Sequence, residues 1–325
     1  MKKHHSNRSM FSGKLGFVLS AAGASVGLGN IWRFPYLAAK YGGGIFLLIY
    51  ILLALTFGYT MIVAETSLGR MTRKSPVGAY ASFTKSHTLK AGGWINAIIP
   101  ILIVPYYSVI GGWVIKYLFE YICGNGTKLA EDGYFSMFIS DGVSAEICFI
   151  VFALITLTII FAGVRNGIER VSKFMMPILV VLSVIIAIYS VTRPGALKGI
   201  QYFLVPNLEN FSWMTVVSAM GQMFYSLSIA MGILVTFGSY MKKETSIEDS
   251  TRNVEIFDTA IAIMAGLMII PAVFAGGPVI DVHHDSEGVR QHGPRHGGWH
   301  SVLRARAVCG GHKLYCADGK RRFHV

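Results

Sequence analysis

Long apolar stretches separated by short polar connections dominate the pattern of this chain. Seven of them are long enough to cross a bilayer as helices, at residues 15–37, 44–69, 95–122, 146–163, 172–192, 213–240 and 256–275. Hydrophobic residues make up 53% of the 325 positions and charged residues only 14%, whereas soluble domains carry about a quarter charged residues. The pattern therefore predicts an all-α polytopic membrane protein.

The first apolar stretch is interrupted at its centre. Three glycines occupy positions within 23–29, and Asn30 follows them. Glycine costs about 1 kcal/mol relative to alanine inside a helix, and backbone without helical hydrogen bonds is tolerated at membrane depth only where it is buried or lines a cavity. We therefore predict a helix up to about Ala22, an unwound segment over 23–29, and a second helix from about Asn30. Tight packing of small residues against a neighbouring helix is the alternative.

An unwound segment of this kind can bind ions. Its free carbonyl groups, together with the side-chain oxygen of Asn30, suit a hard cation such as Na+. The positive N-terminal end of the second half-helix suits an anion such as a carboxylate.

The sixth apolar stretch has a similar interruption. Residues 221–232 begin and end with glycine and contain Ser226 and Ser228 among apolar residues. An ordinary packed helix would also tolerate these residues. Two broken spans in corresponding positions, however, are the pattern of transporters built from inverted repeats. We therefore predict a binding site between the two breaks.

Charged residues inside the predicted spans are a further signal, and Arg33, Glu65 and Asp258 are the ones to which we assign roles. Charges are costly at this depth unless they are paired or functional. Asp258 would balance a bound cation, Glu65 would hydrogen-bond the exposed backbone of the broken spans, and Arg33 would guard an external entrance. For each acid the alternative is a structural pair with a nearby helix, or a side chain that reaches the membrane surface from the end of its span. In the third stretch, Tyr107 offers a phenol that would donate to a carboxylate.

Lysine and arginine are concentrated in alternate connections between the stretches. The N-terminal segment, the connection after the second stretch, and those near residues 165–173 and 242–243 carry most of them. The positive-inside rule then predicts a multi-pass protein of the inner (plasma) membrane with a cytoplasmic N-terminus. The net charge of +12 reflects this topology, so we expect no nucleic-acid partner. The sequence contains no catalytic triad, metal-ligand set or phosphate-binding loop that would indicate an enzyme.

The pattern changes after Ala275. Residues 276–325 contain no stretch able to span a bilayer, and their Gly, His and Arg content is typical of disorder. Cys309 and Cys316, with histidines nearby, fit no standard zinc spacing. We therefore divide the chain into a membrane domain, 1–275, and a tail, 276–325, which a shifted reading frame or a truncated gene would explain.

Together these motifs resemble the neurotransmitter:sodium symporter family, and in particular its bacterial sodium-dependent amino acid transporters. The matching segments are 23–35, 42–44, 65–70, 106–107, 167–170 and 221–228. The resemblance implies a broken-helix, inverted-repeat transporter fold with ten to twelve spans. Seven spans supply the first five-helix repeat plus helices six and seven. We therefore expect an incomplete fold that departs from the family after about Ala275.

The resemblance also implies roles for individual residues. The first sodium site would comprise the Ser25 carbonyl, Asn30, Ser226 and Asp258, and the second the carbonyls of Gly23 and Val26. The substrate-binding positions would be Leu28, Gly29, Ile103, Tyr107, Tyr225, Ser228 and Met231. The gating residues would be Arg33 and Tyr225 outside, and Arg8 and Tyr240 inside.

The implied function is sodium-coupled import of a small neutral amino acid by alternating access, with Na+ as the co-transported ion. Gly27 stands where relatives that carry monoamines have an aspartate, so it leaves room for the carboxylate of an amino acid. A chloride requirement is not expected, because Asp258 supplies a fixed negative charge. The alternatives are a non-transporting membrane fragment and an amino-acid-binding membrane protein or channel. The oligomeric state is left open.

Overall fold

The computed structural model describes residues 10–83, 87–129, 131 and 133–276, and within these ranges the regular elements are helices. They are α1 (Lys14–Ser25), α2 (Phe34–Lys40), α3 (Gly44–Leu53), α4 (Tyr59–Thr72), α5 (Pro76–Ala81), α6 (His87–Ile122), α7 (Gly126–Leu129), α8 (Tyr134–Ser140), α9 (Gly142–Phe161), α10 (Arg170–Val191), α11 (Ala196–Leu204), α12 (Trp213–Ser226), α13 (Ile233–Ser239) and α14 (Ile247–Gly276). Wider π-helical turns lie at Gly29–Arg33, Ala54–Gly58 and Val164–Glu169, and one 3-10 turn lies at Leu208–Asn210.

Five of the predicted spans are helical segments of membrane-crossing length and apolarity within the described residues. They are Gly44–Thr72, Lys90–Ile122, Gly142–Phe161, Val164–Val191 and Ile247–Ala275. The first predicted span is a bent pair of helices, and the sixth forms α12 and α13, each too short to cross alone. The all-helical prediction is therefore confirmed.

Both predicted breaks are present, although each is shorter than predicted, and the second begins only after α12 ends at Ser226. α1 continues to Ser25, because the Val26 amide still donates to the Ala22 carbonyl at 2.6 Å. The helix then resumes at Gly29 and is bent by 49° relative to α1. The predicted end near Ala22 was therefore wrong by about one helical turn.

The second break has a strained backbone. Ser228 and Ala230 have φ angles of 56° and 61°, in the left-handed region, and Gly232 follows at 68°. Residues other than glycine adopt this region at a cost and usually at functional positions. The segment 227–232 is therefore held open by its surroundings rather than by its own helical preference.

An aromatic cluster fixes the second half of the first broken span against the second span. Phe34 lies with its ring centroid 4.9 Å from that of Tyr50 and 6.3 Å from that of Phe203. All three side chains are fully buried.

Helix α9, in contrast, is exposed or half-buried along its length, since none of the residues in its most apolar window is buried. A surface of that kind is suited to contact with lipid.

Two glycines bring α4 and α13 into backbone contact. A Cβ atom at Gly69 would collide with the Val235 carbonyl oxygen, and one at Gly238 would collide with the Thr66 carbonyl oxygen. Small residues at membrane helix interfaces allow this close approach. The contact anchors the second half of the sixth span to the second span.

We expect Gly69→Ala to lower the free energy of unfolding by about 1–3 kcal/mol, because the added methyl group overpacks this contact. Gly221→Ala is the matched control, since a Cβ there meets no atom within 4 Å, and alanine favours a helix. Thermal unfolding in detergent micelles would compare the two. Equal or higher unfolding temperatures for both variants would contradict the proposed packing.

Candidate ion and substrate site

The first break exposes carbonyl groups at the end of α1. No described residue donates a hydrogen bond to the carbonyls of Gly23, Ser25 or Val26. The Ser25 hydroxyl donates to the Ala21 carbonyl at 3.1 Å, so its side chain is engaged within its own helix. Free carbonyls at a helix C-terminus carry partial negative charge and favour a cation.

Three residues from three separate segments meet beside this break. Asn30 Nδ2 donates to Asp258 Oδ1 at 2.9 Å and to the Asp258 carbonyl at 3.0 Å. The Ser226 Oγ lies 2.7 Å from Asp258 Oδ2 and 3.1 Å from Asn30 Oδ1. Each of the three residues is fully buried. The structure thus brings together the side chains that the family resemblance assigned to the first sodium site.

The hydrogen-bond count leaves this cluster short of donors. A serine hydroxyl has a single proton, so Ser226 can donate to Asp258 or to Asn30 but not to both at once. Tyr50 adds a long contact of 3.4 Å from its hydroxyl to Asp258 Oδ2. When Ser226 donates to Asp258, the Asn30 Oδ1 atom has no donor among the described residues. A carboxylate, an amide oxygen and a hydroxyl oxygen therefore lie together. Hard cations prefer such a set of oxygen ligands.

The amide groups at the start of the second half-helix are also free. The backbone N–H groups of Leu28 and Gly29 donate to no described residue. Free N–H groups at a helix N-terminus form a site for an anion such as a carboxylate. The predicted anion-binding end of the break is therefore available in this conformation.

Two tyrosines enclose the space next to these amides. A Cβ atom at Gly27 would lie 3.9 Å from Tyr107 Cε1, and one at Gly29 would lie 3.1 Å from Tyr225 Cδ1. The Tyr107 and Tyr225 ring centroids are 6.5 Å apart. The two rings and the first break therefore border one common space.

For the other predicted pocket residues, Ser228, Met231 and Ile103, the structure gives position and burial. Ser228 is buried within the second break, and Met231, in the same segment, is half-buried. Ile103 lies one helical turn before Tyr107 on α6 and is half-buried.

The second break is held by Glu65, as the sequence predicted. Its Oε1 accepts a hydrogen bond of 2.7 Å from the Ala230 amide. The other oxygen, Oε2, is buried and has no partner among the described residues. A carboxylate from the second span therefore replaces a helical hydrogen bond that the strained segment cannot make.

Arg33 closes one side of the site. Its Nη1 donates to the Gly221 carbonyl at 3.2 Å and to Gln222 Oε1 at 3.3 Å. Its guanidinium carbon lies 5.0 Å from the centroid of the Tyr225 ring, a cation–π distance. The structure thus brings together the two residues predicted for the external gate.

The opposite end of the first span is anchored by a separate network. Glu169 is buried and accepts hydrogen bonds from the Ser12 amide and hydroxyl, and Lys173 pairs with it at 2.5 Å. The Phe11 amide donates to the carbonyl of Tyr240 at 3.2 Å. Arg8, predicted to gate with Tyr240, lies outside the described residues, as does the tail after residue 276.

Sequence reasoning gave no role to two residues that contribute to the site. Gln222 Nε2 donates to the Gly29 carbonyl at 2.8 Å and links the two broken spans directly. Tyr50 contacts Asp258 from the second span. Gln222 had a signal, since it is a polar residue in a predicted span, whereas a lone tyrosine in an apolar stretch is usually read as an interface anchor.

Comparison with known proteins identifies the fold family. A family model described as the sodium:neurotransmitter symporter family matches residues 8–127 and 136–293. The chain belongs to this family. The prediction made from the motifs is confirmed, and the family is one of transporters rather than enzymes.

Members of the symporter family match most of this chain. The sodium-dependent transporter YhdH of Bacillus subtilis (strain 168) is 35% identical over 270 residues, which cover 82% of this chain and 60% of YhdH. The sodium- and chloride-dependent GABA transporter 2 of Rattus norvegicus is 28% identical over 307 residues, covering 81% and 50% respectively.

A solved structure shows the same fold. The crystal structure of MhsT in complex with L-phenylalanine has a TM-score of 0.77 and 37% sequence identity, covering 83% of this chain and 62% of MhsT. The predicted broken-helix transporter fold is thereby confirmed. The chain spans about three fifths of the length of YhdH and MhsT.

Within this symporter fold we expect Glu65→Ala to lower the free energy of unfolding by about 1–3 kcal/mol, because the half-buried Ala230 amide loses its acceptor. Glu65→Gln is the matched control, because glutamine keeps an acceptor oxygen at the same distance along its side chain. We expect it to lower the free energy of unfolding less than Glu65→Ala does. Thermal unfolding of both variants tests the expectation. If Glu65→Ala unfolds at the wild-type temperature, the carboxylate does not hold the second break.

Proposed function

We propose that this chain belongs to a sodium-coupled symporter that imports a small neutral amino acid by alternating access. The observation that supports the proposal most directly is the meeting of Asn30, Ser226 and Asp258 beside the unpaired carbonyls of the first break. These residues come from three segments, so a cation bound among them would link all three. A cation and a substrate would then share one site between the broken spans.

The sodium site is proposed at the cluster itself. Asp258 supplies the negative charge, and Asn30 Oδ1, Ser226 Oγ and the Ser25 carbonyl supply neutral oxygen ligands. The second site would use the carbonyls of Gly23 and Val26, which accept no hydrogen bond in the described chain. Because Asp258 already provides a fixed charge at this position, we propose that chloride is not required.

The substrate is proposed to be a neutral α-amino acid. Its carboxylate would bind the free amides of Leu28 and Gly29 and the hydroxyl of Tyr107. Gly27 has no side chain in the space towards Tyr107, which leaves that space for the carboxylate. The complex of the similar protein MhsT with L-phenylalanine supports this class of ligand.

Transport would depend on the two ends of the site opening in turn. Arg33 and Tyr225 would form the external gate, while Arg8 and Tyr240 would form the internal one. By the distribution of lysine and arginine, the N-terminus would be cytoplasmic. Binding of both ligands would draw the broken spans together and so couple substrate movement to the sodium gradient.

Uptake of labelled neutral amino acids into proteoliposomes containing the 325-residue chain tests this proposal. Accumulation driven by an inward sodium gradient, and its loss when potassium replaces sodium, is the expected result for a symporter. Saturable binding without accumulation would favour an amino-acid-binding membrane protein instead. Neither binding nor uptake would leave the non-transporting fragment as the correct account of this chain.

We expect Asp258→Asn to weaken sodium binding about 10- to 100-fold, because contacts with a charged group are worth roughly 1.5–3 kcal/mol. Asp249→Asn is the matched control, since it makes the same change on the same helix but removes only an exposed pair with Arg252. Equilibrium binding of radioactive sodium to the purified chain measures both.

Replacing chloride by gluconate should leave wild-type sodium binding unchanged. Equal weakening by Asp258→Asn and Asp249→Asn would contradict the proposed site, and a loss of binding in gluconate would contradict the proposed role of the Asp258 charge.

A further inference from the structure

A basic cavity lies at the membrane end opposite the external gate, away from the ion and substrate site. Its volume is about 680 Å³. The residues that line it include Ser67, Arg70, Met71, Arg73, Lys243 and Ile247. The cavity therefore lies where α4 ends, at Thr72, and where α14 begins, at Ile247.

The lining of this cavity is basic. It contains two arginines and a lysine but no carboxylate. Lys243 is exposed and makes no hydrogen bond or ion pair with a described residue. Glu244 and Glu248 are close in sequence, but they do not line the cavity.

Backbone contacts hold one of the arginines in place. Arg70 donates from Nη1 to the Thr245 carbonyl, which fixes the direction of its guanidinium group. Its remaining N–H groups make no contact with a carboxylate in the described chain. An arginine held in this way is preorganised for a phosphate, because the planar guanidinium matches two phosphate oxygens.

The surroundings favour a lipid as the source of the phosphate. Met71 is 67% exposed on the wall of the cavity, and Ile247 lies on the opposite helix. Two candidate membrane spans, Gly44–Thr72 and Ile247–Ala275, have their ends at this cavity, so it lies where polar connections meet apolar spans. Basic pockets between membrane helices are known binding sites for anionic lipid headgroups.

We propose that this cavity binds the phosphate of an anionic phospholipid headgroup, with Arg70 and Lys243 as its cationic contacts. The acyl chains would then lie along Met71 and the adjoining spans. Such a lipid would tie the end of α4 to the start of α14, two elements that also contribute Glu65 and Asp258 to the central site.

Native mass spectrometry of the detergent-solubilised chain tests the proposal with phosphatidylglycerol as the probe and phosphatidylcholine as the neutral lipid. We expect phosphatidylglycerol to bind more tightly than phosphatidylcholine, and Lys243→Ala to weaken it about fivefold, the effect of one basic residue near the headgroup. Lys243→Arg should retain binding. Lys14→Ala is the matched control, because Lys14 is also exposed and lies at the start of α1.

Three results would overturn the proposal. Equal binding of both lipids would show that the headgroup charge is not recognised. Equal weakening by Lys243→Ala and Lys14→Ala would show general attraction by surface charge rather than a site. Full displacement of the lipid by millimolar inorganic phosphate would assign the cavity to a free anion. None of these results depends on sodium binding, so they leave the proposed transport function unaffected.

Discussion

The hydrogen bonds among Asn30, Ser226 and Asp258 are the interaction on which the rest of this structure depends. They join positions up to 228 residues apart in a region where buried polar groups are costly unless they are satisfied. Because the broken first span, the broken sixth span and α14 all contribute, a movement of any one of them relative to the others would break these hydrogen bonds. A cation placed among these oxygens would strengthen the same connections, which gives it a direct effect on the conformation of all three segments.

The two breaks differ in whether their free backbone groups have partners in the protein. At the second break, Glu65 supplies a protein acceptor to the Ala230 amide, and the contact between α4 and α13 supports the strained turn. At the first break, the carbonyls of Gly23, Ser25 and Val26 and the amides of Leu28 and Gly29 have no partner among the described residues. Backbone groups without hydrogen bonds cost free energy at this depth. A ligand that binds the groups of the first break would therefore stabilise the structure more there than at the second break.

The sequence predicted the breaks well because glycine and asparagine are conspicuous inside an apolar stretch. It missed the end of α1 by a turn, since a single amide bond from Val26 extends the helix beyond what propensity indicates. The proximity of Asp258 to Asn30 was expected only from the family resemblance, because no local pattern reports a contact over that separation. Tyr50 was missed because its contact with Asp258 is also distant in sequence. Nothing in the local pattern distinguishes it from the other aromatic residues of the spans.

The most direct test of this account is amide hydrogen exchange of the purified chain in sodium and in potassium at equal ionic strength. If sodium binds between the breaks, exchange in segments 23–30 and 227–232 should slow in sodium alone, and Asp258→Asn should remove the difference. Identical exchange of both segments in the two salts would contradict the claim that the broken spans and Asp258 form a cation site.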